Sequence, residues 1–469
     1  MANRAKVGKE VDRISSLPDE LLFHIISFLP LKQAVCTSIL STRWRKIYAS
    51  MSNLNFDDCF KWRKSDCYGF MNFVDRVLLY HTGGVDKFRI KYGGFVDSYR
   101  VDGWIQYALL KNVRELDLYI DCHKFKVLSA GVSTCKTLVA LRLHSLGTLF
   151  FELKVPVKIC LPSLKILHLS GFRLLDVDSI FRLFSSCSVL EELKKARRRF
   201  NVSIPTLKRL TIGEFRDHEK IMIDAPNLVY FKCCHLPKGF LLKNLNSLVQ
   251  ADIHFGTVFD SDNSCISYHT AAATNLFKGI SNVIALRISG IFTAVFLPGS
   301  IAIPELPKLT YLNLDGYFSG GWERLLPHLL SCFPCLGNLV FTVNLQHSRN
   351  VSKDLLLSKR FPSCLCSQLK TLEILSFQGR KNEMQMVEFF LKNAEVLENF
   401  SVQIIARKRQ NLAEWRSNIT DKLLNLPKAS KNCKVLIYQV AGILKHKKIR
   451  QETVVQCLNM FDDEFNMLF

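Results

Sequence analysis

Cysteine is the residue type in this sequence that could most readily do chemistry, since sixteen cysteines occur in 469 residues. Cys332 and Cys335 form a C-x-x-C pair, and Cys364 and Cys366 follow them. Pairs of this kind bind zinc when four ligands come at tight spacing, or they act as a redox dithiol. The first pair straddles a boundary between sequence repeats, where a thiol serves as a small apolar core residue. We therefore interpret these cysteines as structural and expect no metal and no cofactor.

Other signatures of catalysis are missing from the sequence. It contains no glycine-rich phosphate loop, no H-E-x-x-H pair and no G-x-S-x-G nucleophile elbow. Its twelve histidines show no ligand spacing. We therefore expect a protein that is not an enzyme and that acts by binding.

Positive charge is the second chemical feature, because 63 Lys and Arg stand against 41 Asp and Glu, a formal net charge of +22. Such a surplus attracts acidic partners, including nucleic acid, without specifying one. The densest run comprises Lys194, Lys195 and the arginines 197–199. Five cations cannot be buried together without partners, so we expect an exposed run on a shortened repeat. A solvated loop is the preferred interpretation; a nuclear-import signal and a phosphate-binding patch are the alternatives.

Targeting and membrane signals are also absent from the sequence. The N-terminal MANRAKVGKE has no apolar signal-peptide core, so we expect reduced thiols and a location in the nucleus and/or cytoplasm. The longest apolar run, residues 288–303, is shorter than the ~20 residues that span a bilayer, and Pro298 interrupts it. We predict a buried strand and a loop there, and no membrane contact.

The elements that position a binding surface begin with three short helices. Pro18 and Asp19 favour a helix start, because proline fits the first turn and an acidic side chain suits the positive end of the helix dipole. Pro30 predicts the end of that helix, and a third helix should start near Ser41. The first helix carries apolar residues on more than one face: Leu21, Leu22, Ile25, Ile26, Phe28 and Leu29. Because three short helices bury only a small core, the surplus predicts either an interface or a cap over the following residues.

Residues 12–58 resemble an F-box of the plant type. The matching residues are Leu17-Pro18, Leu21, Ile25, Phe28-Leu29-Pro30, Ser38, Leu40-Ser41 and Arg43-Trp44-Arg45. The resemblance implies a partner, the Skp-type adaptor of a cullin–RING ubiquitin ligase. It implies these adaptor-binding residues: Leu17, Pro18, Leu21, Ile25, Leu29, Ser38 and Trp44, the last two marking a segment around Ser38–Trp44 that lies at the interface. We assign Leu22 and Ile26 instead to the internal core.

A repeated L-x-x-L-x-L pattern fills the middle of the chain. Its first apolar positions are Val113, Leu138, Leu164, Leu190, Leu207, Leu228, Leu248, Val283, Leu309, Leu336, Leu369 and Leu397. Most steps between them match the 20–29 residues of a leucine-rich repeat. Such a unit buries its apolar face only by stacking on its neighbours, which predicts an α/β fold, a curved right-handed solenoid with a parallel inner sheet over residues 59–366. VDSIFRLFSSC and GWERLLPHLLSC should form short helices on the outer wall.

Residues 367–440 put a helix between two strands and end in a further helix and strand. Met386, Phe389, Phe390 and Leu397 should face the core. This segment is similar to the FBD module of plant F-box/LRR proteins, on the residues Phe389-Phe390-Leu391-Lys392-Asn393-Ala394, Leu397-Glu398 and Leu426-Pro427-x-Ala429-Ser430-x-x-Cys433. Residues 1–11 are expected to be a flexible N-terminus, and residues 441–469 form a tail of unknown structure.

The chain as a whole resembles the plant F-box/FBD/LRR-repeat family. That resemblance implies the substrate-recognition subunit of a Skp–cullin–F-box ubiquitin ligase, which binds the adaptor through the F-box and an unknown target protein through the repeats. The charge argues only weakly for nucleic acid. The alternatives are a basic solenoid for nucleic acid or a small anionic ligand, and a decayed F-box protein without a target.

Overall fold

The computed structural model describes residues 14, 16–57, 67–121, 130–145, 151–153, 155–174, 177–196, 201–213, 220–236, 239–255, 264–290, 303–318, 322–345, 362–405 and 412–438. The chain divides into two compact units, Met1–Leu190 and Glu191–Phe469. The predicted N-terminal segment 1–11, the tail 441–469 and the arginines 197–199 lie outside the described residues.

Three short helices open the first unit. They are α1 (Asp19–Ser27), α2 (Leu31–Cys36), which continues into a 3-10 turn (Thr37–Ile39), and α3 (Thr42–Ala49). Pro18 and Pro30 occupy the N-cap positions of α1 and α2, and Ser41 caps α3 by accepting the Trp44 N–H at 3.5 Å. The predicted helix starts and the predicted end of the first helix are confirmed, because proline and serine act locally at these positions.

The remaining elements of the first unit alternate strands and helices. In chain order they are β1 (Asn53–Asp57), α4 (Cys67–Tyr80), β2 (Lys87–Phe95), α5 (Ser98–Leu110), β3 (Glu115–Asp121), α6 (Ala130–Ser133), β4 (Ala140–Ser145), β5 (Phe151–Leu153), β6 (Ile166–Ser170), β7 (Phe172–Leu174) and α7 (Val177–Ser185). The strands β1-β2-β3-β4-β6 pair in that order, all in parallel, and β5 pairs with β7.

The second unit repeats the scheme over a longer stretch. Its elements are β8 (Glu192–Ala196), β9 (Val202–Ser203), β10 (Arg209–Gly213), β11 (Lys220–Asp224), β12 (Tyr230–Cys233), β13 (Gly239–Lys243), β14 (Gln250–His254), α8 (Ser264–Gly279), β15 (Ala285–Gly290), β16 (Tyr311–Phe318), α9 (Trp322–Ser331), β17 (Asn338–Leu345), α10 (Ser363–Ser367), β18 (Thr371–Phe377), α11 (Lys381–Asn393), β19 (Asn399–Ile404), α12 (Leu412–Leu424) and β20 (Lys434–Tyr438). The inner strands run in parallel in the order β8-β10-β12-β14-β15-β16-β17-β18-β19-β20.

Apolar side chains line up across each sheet in register. All twelve first positions of the predicted repeats are buried. The second apolar residues face one another on successive strands. In the first unit this ladder is Leu54, Phe88, Leu116, Leu141 and Leu167. In the second it is Leu193, Leu210, Phe231, Ala251, Leu286, Leu312, Leu339, Leu372, Phe400 and Val435. Each strand therefore buries its apolar face on its neighbours, as the repeat predicts.

The ladder is longer than the repeat pattern indicated. It starts at Leu54 and Phe88, before the first recognised repeat at Val113. At the other end it continues through β18, β19 and β20, which lie in the predicted FBD-like segment 367–440. Structurally, that segment continues the parallel sheet, so its limits as a separate module stay a prediction.

The predicted exposure of the basic run is wrong for its first two residues. Lys194 and Lys195 both lie in β8 and are buried, Lys195 with only 2% of its surface exposed. Lys195 faces Ile212 of β10, so it occupies a core position of the repeat. The register of the parallel strands fixes which side chains point to the core, and the long methylene stem of lysine supplies apolar surface there.

The outer wall differs from the prediction in the shortest repeats. Between Leu190 and Leu248 the return segments contain the strands β9, β11 and β13, which pair in parallel as a second sheet. A strand covers about 3.3 Å per residue and a helix only 1.5 Å, so a short return segment spans the same distance in extended form. In the longer repeats the predicted helices are present as α7 and α9.

The C-terminal strands and helices follow the predicted pattern. Helix α11 lies between β18 and β19, and β20 follows α12. Met386, Phe390 and Leu397 are buried as predicted, whereas Phe389 is half-buried, with its ring 5.9 Å from that of Trp322.

Of the four cysteines of the C-x-x-C pair and the pair that follows it, Cys332 and Cys364 are buried, Cys366 is half-buried and Cys335 is exposed. Cys332 donates through its Sγ to the His328 carbonyl at 3.5 Å, and Cys364 to that of Leu330 at 3.5 Å. Burial raises the pKa of Cys364 to about 11, which keeps the thiol protonated. Within the described part of the chain no cluster of His, Cys, Asp or Glu could hold a metal, and no helix has the length and apolarity needed to cross a bilayer.

We expect Leu372→Ala to lower the free energy of unfolding by about 2–5 kcal/mol, because it opens a cavity in the ladder. Leu436→Ala is the matched control, since Leu436 is 62% exposed on the last strand and its loss should change stability by less than about 0.5 kcal/mol. Urea denaturation of both variants gives the comparison. Equal midpoints for the two would contradict the role assigned to the ladder.

Candidate functional site

A small apolar core holds the three N-terminal helices together. It consists of Leu22, Ile26, Ala34, Trp44 and Ile47. Leu17, Leu29 and Met51 pack against it and are partly buried. The assignment of Leu22 and Ile26 to the internal core is thus confirmed. Leu31, Tyr48 and Ala49 of the same helices are buried as well.

Large apolar side chains are exposed on the same helices. On α1 they are Leu21, Phe23, Ile25 and, most of all, Phe28, which is 73% exposed. Leu21, Ile25 and Phe28 follow the i, i+4, i+7 spacing and share one face of the helix, called the α1 apolar face below. The turn after α2 adds Ile39 at 86% and Leu40 at 67% exposure. Surface of this kind marks a site where another protein binds.

The seven residues predicted to bind the adaptor fall into three environments. Pro18, Leu21 and Ile25 are exposed. Leu17, Leu29 and Ser38 are half-buried. Trp44 is only 5% exposed and lies in the helical core. Its large ring is the side chain around which α1 and α3 pack, so in this structure it supports the surface from beneath.

The predicted contact set left out one of the most exposed apolar residues, Phe28, whereas the exposed Ile39 and Leu40 fall within the segment around Ser38–Trp44 that the resemblance placed at the interface. The spacing from Ile25 to Phe28 was a usable signal, since residues three apart share a helix face.

Arg43 ties the start of α1 to α3. Its Nε donates to Asp19 Oδ1 at 2.7 Å, and its Nη2 donates to the Leu17 carbonyl and contacts Asp19 Oδ1 at 2.6 Å. A guanidinium suits this arrangement because its donors form a rigid fork. The pair is partly exposed, so its main effect is to orient Leu17 and Pro18 beside the α1 apolar face.

Backbone hydrogen bonds join the three helices to the first repeat. The Ala49 carbonyl accepts the N–H groups of Thr82 at 2.8 Å and Gly83 at 3.3 Å. The Ser52 carbonyl accepts those of Asp86 at 2.9 Å and Lys87 at 3.2 Å. We call this set of contacts the junction. It holds the end of α3 against the chain between α4 and β2, so the binding helices and the first strands form one body.

Trp44→Ala should destabilise the N-terminal helices by about 3–5 kcal/mol, because it removes the centre of their core. Trp44→Phe keeps much of the buried surface and should cost less, with the α1 apolar face unchanged. Thermal unfolding, followed by far-ultraviolet circular dichroism so that the signal does not depend on the tryptophan itself, gives the stability of both variants. If Trp44→Ala left stability unchanged while abolishing partner binding, Trp44 would be a contact residue after all.

Gly83→Ala should weaken the junction, since a Cβ at Gly83 would lie 2.8 Å from the Ser50 carbonyl oxygen, against rigid backbone. Overpacking of this kind costs roughly 1–3 kcal/mol. Gly84→Ala is the matched control, because nothing lies within 4 Å of a Cβ there. Denaturation midpoints of the two variants make the comparison, and equal midpoints would contradict the close approach at Gly83.

Comparison with known proteins matches two parts of the chain to domain families. A family model of the F-box domain matches residues 14–54. The family model described as "At1g61320/AtMIF1, LRR domain" matches residues 77–438.

Relatives from Arabidopsis thaliana cover most of the chain. F-box/LRR-repeat protein At2g42730 is 31% identical over 460 residues, which span 91% of this chain and 98% of the relative. F-box/LRR-repeat protein At3g59200 is 34% identical over 466 residues, 91% of this chain and 88% of the relative. Putative F-box/FBD/LRR-repeat protein At3g59240 is 33% identical over 456 residues, which span 90% of this chain and 88% of the relative. The matched domains and these relatives show that the chain belongs to the F-box/LRR-repeat proteins.

Proposed function

We propose that this protein is the substrate-recognition subunit of a Skp–cullin–F-box ubiquitin ligase, with the Skp-type adaptor bound to the N-terminal helices. The observation that carries the proposal is the α1 apolar face. It stays exposed although the helices have a closed core of their own, so a second polypeptide is needed to cover it. Pro18, Leu21, Ile25 and Phe28 are the proposed anchors, and the exposed Ile39 and Leu40 of the 3-10 turn are proposed as further contacts.

We further propose that the repeats bind a target protein. We assign this contact to the exposed and half-buried strand residues opposite the core ladder. In the first unit, Glu115 pairs with Lys87 at 3.2 Å and with Arg142 at 3.1 Å. In the second, Lys232 pairs with Asp252 at 3.6 Å. Cations already paired in this way have less charge to offer a polyanion, which favours a protein target over nucleic acid.

The proposed contribution to ubiquitin transfer is proximity. A target held on the repeats has its lysines at a high effective concentration near the ubiquitin-loaded enzyme that the adaptor and cullin bring. On this proposal the chain supplies binding surfaces and no reacting group. The nucleus and/or cytoplasm, where such ligases work, is the proposed location.

Ile25→Ala combined with Phe28→Ala should weaken binding to a purified Skp-type adaptor by at least tenfold, because buried interface anchors contribute ~1–3 kcal/mol or more each. Pro18→Ala should have a smaller effect in the same direction. Isothermal titration calorimetry with the full chain gives the dissociation constants.

Tyr99→Ala serves as the control, since Tyr99 is 83% exposed, more than Ile25 or Phe28, but lies on α5, away from the F-box. It should leave the affinity unchanged. Adaptor binding that survives loss of both Ile25 and Phe28 side chains would contradict the proposed anchors, and failure of the unmodified chain to bind any Skp-type adaptor would contradict the proposed function.

A further inference from the structure

His81 lies at the junction, directly after α4, and is buried. Its Nε2 is 2.8 Å from the carbonyl oxygen of Met51, and its Nδ1 is 2.8 Å from the hydroxyl of Tyr107 on α5. A carbonyl only accepts, so Nε2 carries the hydrogen. In the neutral ring Nδ1 is then the acceptor, and it takes the hydrogen of the Tyr107 hydroxyl.

The ring thus connects three parts of the chain. Met51 follows α3 and packs on the core of the binding helices. Tyr107 belongs to the helix of the first complete repeat, and its hydroxyl also lies 3.1 Å from the carbonyl of His81 itself. The His81 side chain therefore links the N-terminal helices to the first repeat. It does so in addition to the backbone hydrogen bonds of Ala49 and Ser52.

We propose that His81 is the positioning residue that fixes the adaptor-binding helices on the first repeat, and that acid weakens this hold. This role deepens the function proposed above, since the helices that His81 holds are those that would bind the adaptor. A ligase subunit of this kind works by presenting a target at a set place, so the angle between binding helices and first strands bears directly on transfer.

The charges around the ring support an effect of acid. Burial lowers the pKa of His81 from its ordinary 6.5, and Lys111 at the end of α5 lowers it further, whereas the hydrogen bond to the Met51 carbonyl opposes the shift without cancelling it. Asp75 on α4 would favour the proton, but it is held by Arg100 at 3.0 Å and by the Trp104 Nε1 at 2.6 Å. The opened junction therefore binds a proton more readily than the closed one, and its stability falls as pH drops below about 6.5.

The Tyr107 hydroxyl limits the size of that effect. When Nδ1 is protonated, the hydroxyl can accept from it and turn its own hydrogen to the His81 carbonyl. The hydrogen bonds of the ring are therefore kept in acid. Acid destabilises the junction only because the protonated His81 ring is a buried positive charge near Lys111. We therefore expect loosening at low pH and not unfolding.

Amide hydrogen exchange in the full chain tests the proposal, read at Thr82, Gly83, Asp86 and Lys87, whose N–H groups cross the junction. After correction for intrinsic rates, protection in the unmodified chain should fall several-fold between pH 7.5 and pH 5.5. His81→Ala should lower it about tenfold at both pH values, because the Met51 carbonyl loses its buried partner. Amides of β16 and β17, in the other unit, should not change and serve as the internal reference.

His81→Gln is the decisive variant. A glutamine amide can donate to Met51 and accept from Tyr107, but it does not titrate, so protection should match the unmodified chain at pH 7.5 and stay constant down to pH 5.5. Tyr107→Phe should lower protection at both pH values by removing the hydroxyl. Unchanged protection in His81→Ala, or the same acid loss in His81→Gln as in the unmodified chain, would overturn the proposal.

Adaptor affinity separates this proposal from the proposed function. All four chains should bind the Skp-type adaptor within about twofold, because the α1 apolar face does not include His81. The exchange result stands by itself if the adaptor fails to bind, since it is read on the free chain.

Discussion

Parallel strands that align their apolar side chains in register are the constraint on which this structure depends. No single strand of four to nine residues can bury an apolar face alone, so each repeat is stable only against its neighbours. In the first unit the ladder begins at Leu54, only a few residues after the last F-box helix. The repeat sheet therefore starts where the F-box helices end, without a linker between them.

That continuity gives the F-box a defined place. Three short helices with a core of five buried side chains have little stability of their own. Here the carbonyls of Ala49 and Ser52 take part in hydrogen bonds with the segment leading into β2, and β1 pairs along β2. The helices gain a rigid base, while the α1 apolar face stays open for a partner.

The sheet face opposite the ladder is polar, and its charges are arranged across neighbouring strands. Lys91 of β2 lies 3.8 Å from Asp57 of β1, and Arg287 of β15 lies 2.9 Å from Asp315 of β16. Pairs of this kind hold long side chains in place and leave the face less positive than the net charge of +22 suggests. If the proposed target binds this face, hydrogen-bonding groups and shape, more than bulk charge, are available to select it.

Local features were the ones that the sequence determined by itself. Pro18, Pro30 and Ser41 set the helix limits because a fixed φ, a missing N–H or a capping hydroxyl acts within one turn. The repeat leucines from Leu138 to Leu397 were identifiable because a strand with one buried face must alternate. The tertiary structure decided what depends on distant neighbours. Lys195 is buried because the register of β8 with β10 places it in line with Ile212, and Trp44 is internal because α1 closes over α3. Composition and spacing carry information about a residue and its neighbours in the sequence. Whether that residue is buried depends on which distant parts of the chain fold against it.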